Sequence, residues 1–268
     1  MDNRPIGVFD SGLGGLTVFS ALTDLLKDES IVYFGDNGRY PYGTKSSQTV
    51  VKYTLQNIKF LIEQDVKMIV IACNTASACS FNVVKDKFGL PIIEVVKPGA
   101  LTAVNKTKNK RIGVIGTAAT VNSKVYETAI KTLDGGTEVF SKACPIFVPL
   151  VEEGWWETDI ALSCAKEYLS FFEGTDIDTL VLGCTHYPLL HKTISKVLGE
   201  KVELVNSALE VAKAVKEVII NNNLQRNSEI EPVYRYYTSD SADKFEDLGG
   251  TILNKEIRSV QKIDIEKY

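Results

Sequence analysis

Two cysteines stand where a short apolar run gives way to polar residues. Cys73 lies in Ile69-Val70-Ile71-Ala72-Cys73-Asn74-Thr75, and Cys184 lies in Leu180-Val181-Leu182-Gly183-Cys184-Thr185-His186. The two segments align at an offset of 111 (184 − 73), while Gly7-Val8-Phe9-Asp10-Ser11 aligns with Gly113-Val114-Ile115-Gly116-Thr117 at an offset of 106 (113 − 7). Matched landmarks at nearly one offset point to a duplicated unit, with one thiol from each copy facing a shared cleft. A thiol at a strand exit just before a helix is expected to have its pKa lowered, which enriches the thiolate. Two opposed thiols suit inversion at a tetrahedral carbon, where one removes a proton and the other delivers one to the opposite face. Asp10, at the first strand's exit, is placed to poise Cys73, and His186 to poise Cys184. Cys79, Cys144 and Cys164 lack such contexts and read as small buried hydrophobes. His191 reads as a surface residue.

The elements that must carry these groups follow from periodicity. Ile6–Phe9, Ile31–Phe34, Met68–Ile71 and Ile92–Val95 are each apolar for about four residues, interrupted only by Glu94, and bounded mostly by Gly, Asp or Pro, as strands buried on both faces should be. The series restarts with strands at 112–115, 139–140, 179–182 and 204–205, and ends with a Tyr-rich strand at 234–237. Between the strands, 46–64 has helical period with Val51, Leu55, Ile58 and Ile62 on one face and Ser46 or Ser47 as N-cap. Helices are also predicted from after Thr120 to about Leu133, over 157–172 and 208–221, and from near Ser239-Asp240 onward, with an exposed loop at 221–231. Strand–helix alternation predicts an α/β fold: two pseudo-symmetric α/β lobes with mostly parallel sheets and a cleft between them. Ligands in such folds collect at the carboxyl ends of the strands. Asp10-Ser11-Gly12-Leu13-Gly14-Gly15, Cys73-Asn74-Thr75, Gly116–Thr120 and Cys184-Thr185-His186 all fall there. Helix N-termini at these loops favour a carboxylate. The glycine loop lacks the GxGxxG spacing and the Lys-Ser/Thr of a nucleotide-phosphate site.

The bulk properties narrow the partners. The 268 residues are 44% hydrophobic and 24% charged, with a net charge of −4 and no basic stretch interleaved with aromatics, so no nucleic-acid surface is expected. No run approaches the ~18 apolar residues of a membrane span, and the residues before Ile6 do not read as an export signal. Five irregularly spaced cysteines without a CxxC predict reduced thiols in the cytoplasm and no metal site.

Several blocks together resemble the glutamate racemases of the aspartate/glutamate racemase family. They are Phe9-Asp10-Ser11-Gly12-Leu13-Gly14-Gly15-Leu16-Thr17, Tyr33-Phe34-Gly35-Asp36, Pro41-Tyr42-Gly43, Ala72-Cys73-Asn74-Thr75-Ala76, Phe147-Val148-Pro149-Leu150-Val151-Glu152-Glu153-Gly154 and Leu182-Gly183-Cys184-Thr185-His186-Tyr187-Pro188. The resemblance implies a cofactor-independent enzyme that interconverts L- and D-glutamate and supplies D-glutamate for peptidoglycan. It implies Cys73 and Cys184 as the acid/base pair, assisted by Asp10, Glu152 and His186. Ser11, Tyr42, Gly43, Asn74, Thr75, Thr117, Thr120 and Thr185 would hold the substrate, together with Asp10 and His186. It further implies a C-terminal segment returning to the first lobe (1–97 plus 208–268, against 98–207) and a homodimer.

Asn37-Gly38 before Arg39 and Tyr40 depart from the family's usual run, and Trp155-Trp156 is unusually bulky, reading as a hydrophobic plug between the lobes or a control on cleft closure. The short segment before Asp10 argues against the N-terminal extension through which some relatives answer to a cell-wall precursor. Three competing readings stand beside this one. An aspartate racemase-like enzyme would carry Glu at the position of His186, a thiol redox protein would form a Cys73–Cys184 disulfide, and a binding module would bind glutamate without turnover.

Overall fold

The computed structural model describes residues 1–268 and contains ten strands. They are β1 (Ile6–Asp10), β2 (Ile31–Gly35), β3 (Met68–Ile71), β4 (Ile92–Glu94), β5 (Arg111–Gly116), β6 (Glu138–Ala143), β7 (Thr179–Gly183), β8 (Glu203–Val205), β9 (Tyr234–Thr238) and β10 (Gln261–Lys262). A six-stranded sheet runs β10-β9-β2-β1-β3-β4 and a four-stranded sheet runs β6-β5-β7-β8, with every pairing parallel. Parallel pairing requires a crossover between partners, and helices supply it on both faces.

The internal repeat is visible strand by strand. The order β2-β1-β3-β4 in one sheet is the order β6-β5-β7-β8 in the other. The register agrees as well: Ile6 pairs with Met68 and Ile112 with Thr179, so each sheet joins its central strand to the cysteine-bearing strand at the equivalent residue. β1, β3 and β7 are buried throughout, which is why their apolar runs are uninterrupted. β9 and β10 extend the first sheet beyond β2, so the C-terminal segment packs back on the N-terminal half. Separate apolar clusters fill each side of each sheet.

Several expected elements shift. The helix expected after Thr120 starts earlier and is two helices, Ala118–Asn122 and Val125–Leu133, divided at Lys124, whose backbone is left-handed (φ 55). The segment expected as a helix over 157–172 is helical from Asp159 to Leu169 and tightens to a 3₁₀ turn over Ser170–Phe172. The last long helix is Ala242–Leu253, capped by Ser241, which accepts from the Lys244 N–H. In the helix Ser47–Glu63, Ser46 is the N-cap as expected, but Val51, Leu55 and Ile62 are only half-buried. Its inner face instead carries Val50, Ile58 and Leu61 with the polar Thr54, Gln56 and Asn57. Those amides are turned inward because they hold a buried Arg39 side chain. Trp155 is exposed and Trp156 packs on the core of the second sheet, so neither plugs the space between the lobes.

Candidate active site

Cys73 follows β3 by two residues and caps the helix Asn74–Val84, its Sγ accepting from the Ala76 N–H at 3.4 Å. Its thiol donates to Ser11 Oγ at 3.5 Å. β1 delivers Asp10 beside it, fully buried, with Oδ2 accepting from the Gly12 N–H at 3.0 Å. The chain can wrap the carboxylate this closely because Gly15 has no side chain; a Cβ there would sit 2.5 Å from the Asp10 Cβ. Burial raises the Asp10 carboxyl above its ordinary value, against the pull of His186 and the neighbouring N–H groups. Burial, reinforced by the charge of Asp10, likewise pushes the Cys73 thiol far up. The expected lowering by the helix N-terminus is thus overturned for Cys73 by its burial. Loss of water costs the thiolate more than one N–H returns.

Cys184 sits in a different setting. It follows β7 directly but leads into a single 3₁₀ turn, Tyr187–Leu190, with Pro188 in its first positions, so no long helix dipole aims at this sulfur. Its neighbour is instead His186, whose Nδ1 lies 3.8 Å from Sγ. The other ring nitrogen, Nε2, donates to Glu152 Oε1 at 2.7 Å, at the end of the helix Phe147–Glu152. Burial alone would push the imidazole down, but its hydrogen bonds to Cys184 and Glu152 prevail and hold its pKa well above the ordinary value. His186 is therefore wedged between a carboxylate and a sulfur that both favour its protonated form.

The two exits meet. Thr185 Oγ1 donates to Asp10 Oδ1 at 3.3 Å, and Thr75 and Thr117 share a hydroxyl contact at 2.9 Å. Thr117 caps the helix Ala118–Asn122 by accepting from the Thr120 N–H, a cap worth about 1 kcal/mol. Gly14 admits the second half: a Cβ there would lie 2.5 Å from Thr185 Oγ1 and 2.6 Å from His186 Nδ1. Gly43 does the same opposite Thr117, at 2.7 Å from its Cβ. The two cysteines line one narrow cavity.

Of the residues singled out from the sequence, Ser11, Tyr42, Gly43, Cys73, Asn74, Thr75, Thr117, Cys184, Thr185 and His186 line this cavity. Asp10, Glu152 and Thr120 stand behind it, touching Thr185, His186 and Thr117 respectively. Tyr42 lines the cavity, yet its hydroxyl is turned away, donating to Asp36 and accepting from Asn57 Nδ2. It can offer a ligand its ring and backbone. Cys144 is buried and Cys79 and Cys164 are half-buried, all outside the cavity, and His191 is exposed.

Sequence reasoning missed Tyr40, Pro41 and Val148, which also line the cavity, and Tyr126, whose hydroxyl donates to Asn74 Oδ1 at 2.6 Å. It also missed the post behind the Tyr42 loop, where Arg39 pairs with Asp36 at 2.7 Å and reaches Gln56, Asn57 and Glu266. The basic residue three positions after Asp36 was the available signal. Nowhere do three or more His, Cys, Asp or Glu side chains gather as a metal site would require. No helix is long and apolar enough to cross a membrane.

A family model described as Asp/Glu/Hydantoin racemase matches residues 6–215. A protein from Geobacter metallireducens named glutamate racemase is 43% identical over 263 residues, covering 98% of this chain and 97% of that one. Another of that name, from Thermoanaerobacter pseudethanolicus, is 44% identical over 268 residues and covers 100% of both. The crystal structure of glutamate racemase from Francisella tularensis subsp. tularensis SCHU S4 in complex with D-glutamate matches with a TM-score of 0.94 at 41% identity, over 100% of each chain.

Proposed function

The chain belongs to the Asp/Glu/hydantoin racemase family, and from that premise we propose that it interconverts L- and D-glutamate by a two-base proton transfer between Cys73, Cys184 and the substrate α-carbon, without a cofactor. The observation that carries the reading is that two thiols from equivalent strand exits open onto one small cavity.

The surroundings of the two thiols support a starting state. His186 is placed to stabilise negative charge on the Cys184 sulfur, while burial beside Asp10 favours the protonated Cys73 thiol. Cys184 as thiolate takes the α-proton and Cys73 delivers its own to the opposite face; the reverse reaction exchanges the roles. The buried Asp10 carboxyl, with its raised pKa, stands behind Cys73 to relay that proton. Glu152 keeps His186 charged and its ring oriented. Asn74, Thr75, Thr117 and Thr185 offer fixed polar groups to the carboxylates and amine, with Ser11, Tyr42 and Gly43 on the cavity wall and Thr120 bracing Thr117. Such preorganised groups stabilise the developing carbanion without the cost of reorienting water. Correctly placed acids and bases each contribute something like 10²–10⁴-fold.

The product D-glutamate would serve peptidoglycan synthesis in the cytoplasm. The division into 1–97 plus 208–268 and 98–207 is proposed as the lobe boundary, and a homodimer as the assembly. The test is polarimetry on purified protein given L- or D-glutamate with chelator present and no pyridoxal phosphate. Optical activity should decay to zero from either enantiomer. Decay with aspartate but not glutamate would move the substrate assignment. Glutamate binding without decay would leave a binding module.

A further inference from the structure

Tyr126 is the second residue of the helix Val125–Leu133 and is buried between two glycines. A Cβ on Gly183 would lie 3.1 Å from its ring, and one on Gly99 would lie 3.4 Å from its ring and hydroxyl. Only at Gly183 is the approach tighter than an ordinary contact, so there the missing side chain makes room for the phenol. Gly183 immediately precedes Cys184, and the residue that the phenol reaches, Asn74, immediately follows Cys73. One side chain therefore bridges the neighbours of both thiols, from the β5–β8 sheet's half of the molecule to the other half.

The bond at its tip has a direction. The Tyr126 hydroxyl donates to Asn74 Oδ1 at 2.6 Å. Burial, with Glu94 nearby, pushes the phenol pKa far up, so the group remains a donor across the working range. With its carbonyl oxygen engaged, the Asn74 amide has only its NH₂ left to offer. That Nδ2 donates to no protein group, is not among the buried atoms left without a partner, and belongs to a residue lining the cavity. An amide rotated by half a turn would present an acceptor to an anionic ligand, which repels.

We propose that Tyr126 is a positioning residue that crosses between the lobes to aim the Asn74 NH₂ into the cavity, making this contact with a substrate carboxylate conditional on the lobes being closed. The inference rests on the glutamate-racemase reading above and adds to it a residue that contacts no substrate.

The test is Tyr126→Phe, which keeps the ring and removes only the donor, with folding checked by thermal midpoint. KM for both enantiomers should rise about tenfold, as expected when a buried acceptor loses its donor, with kcat within about twofold. Calorimetric affinity for D-glutamate, which needs no turnover, should weaken by the same factor. In an Asn74→Ala background the same change should cost nothing further, because the group it aims is gone. An unchanged KM and affinity in Y126F, or a loss that multiplies with that of N74A, overturns the proposal and leaves Tyr126 a packing residue. A parent protein inert toward glutamate overturns the underlying reading as well, so the two failures are distinct.

Discussion

Cys73 and Cys184 occupy matching places in matching sheets, yet their sulfurs are handled by opposite means. Cys73 caps a helix of eleven residues, is buried against Ser11, and sits beside an acid that is itself hard to ionise. Cys184 leads into one 3₁₀ turn and leans on a histidine that is hydrogen-bonded to Glu152. Duplication produced the geometry of two opposed groups, and divergence of the residues beside each one produced the electrostatics. A racemase needs one base and one acid at any instant, and identical surroundings would give both thiols the same protonation state. On the proposed mechanism, the difference between the two sites would provide one of each.

The harshest way to break the comparison is to remove either member. Cys73→Ala and Cys184→Ala should each lower racemisation by about 10³-fold or more, measured by polarimetry. A glutamate bearing a leaving group on its β-carbon should still undergo elimination in each variant, from opposite enantiomers. Retention of normal racemisation by both variants would remove the two-thiol mechanism.

His186→Asn should reduce kcat/KM by about 10²-fold and Asp10→Asn by about 10-fold, since the proposed mechanism gives His186 a full charge and Asp10 only a relay. Equal losses would mean that the two sites are electrostatically alike. The same histidine has a stability signature. Its pKa is raised in the folded state above the ordinary 6.5, so its contribution is complete below about pH 6.5 and is lost as pH rises through the folded-state value. The thermal midpoint of the parent should fall more steeply than that of His186→Asn over that window; parallel curves would show that His186 is not held as a cation.

Much of this was legible in the chain because buried parallel strands must be apolar at every position. β1, β3, β5 and β7 announced themselves, and with them the exits that carry Asp10, Cys73, Thr117 and Cys184. β10, two exposed residues, has no such constraint and left no trace. The break at Lys124 involves neither Gly nor Pro, so composition could not mark it. Tyr126 was invisible for a different reason: its partner lies 52 residues away in the other half, and nothing local distinguishes an aimed phenol from a core one. The thiol of Cys73 was misjudged because position relative to a helix can be read from sequence, whereas desolvation belongs to the closed cavity.

The central claim is that two different groups serve the two faces of one carbon, and early racemisation in D₂O tests it most directly. With single enantiomers of glutamate and conversion kept low, deuterium should appear at the α-carbon of the product while recovered substrate stays protonated, because the thiol that took the proton is not the one that gives. Deuterium entering recovered substrate as fast as product, or product forming with its original proton, would contradict two opposed bases and require one group to work both faces.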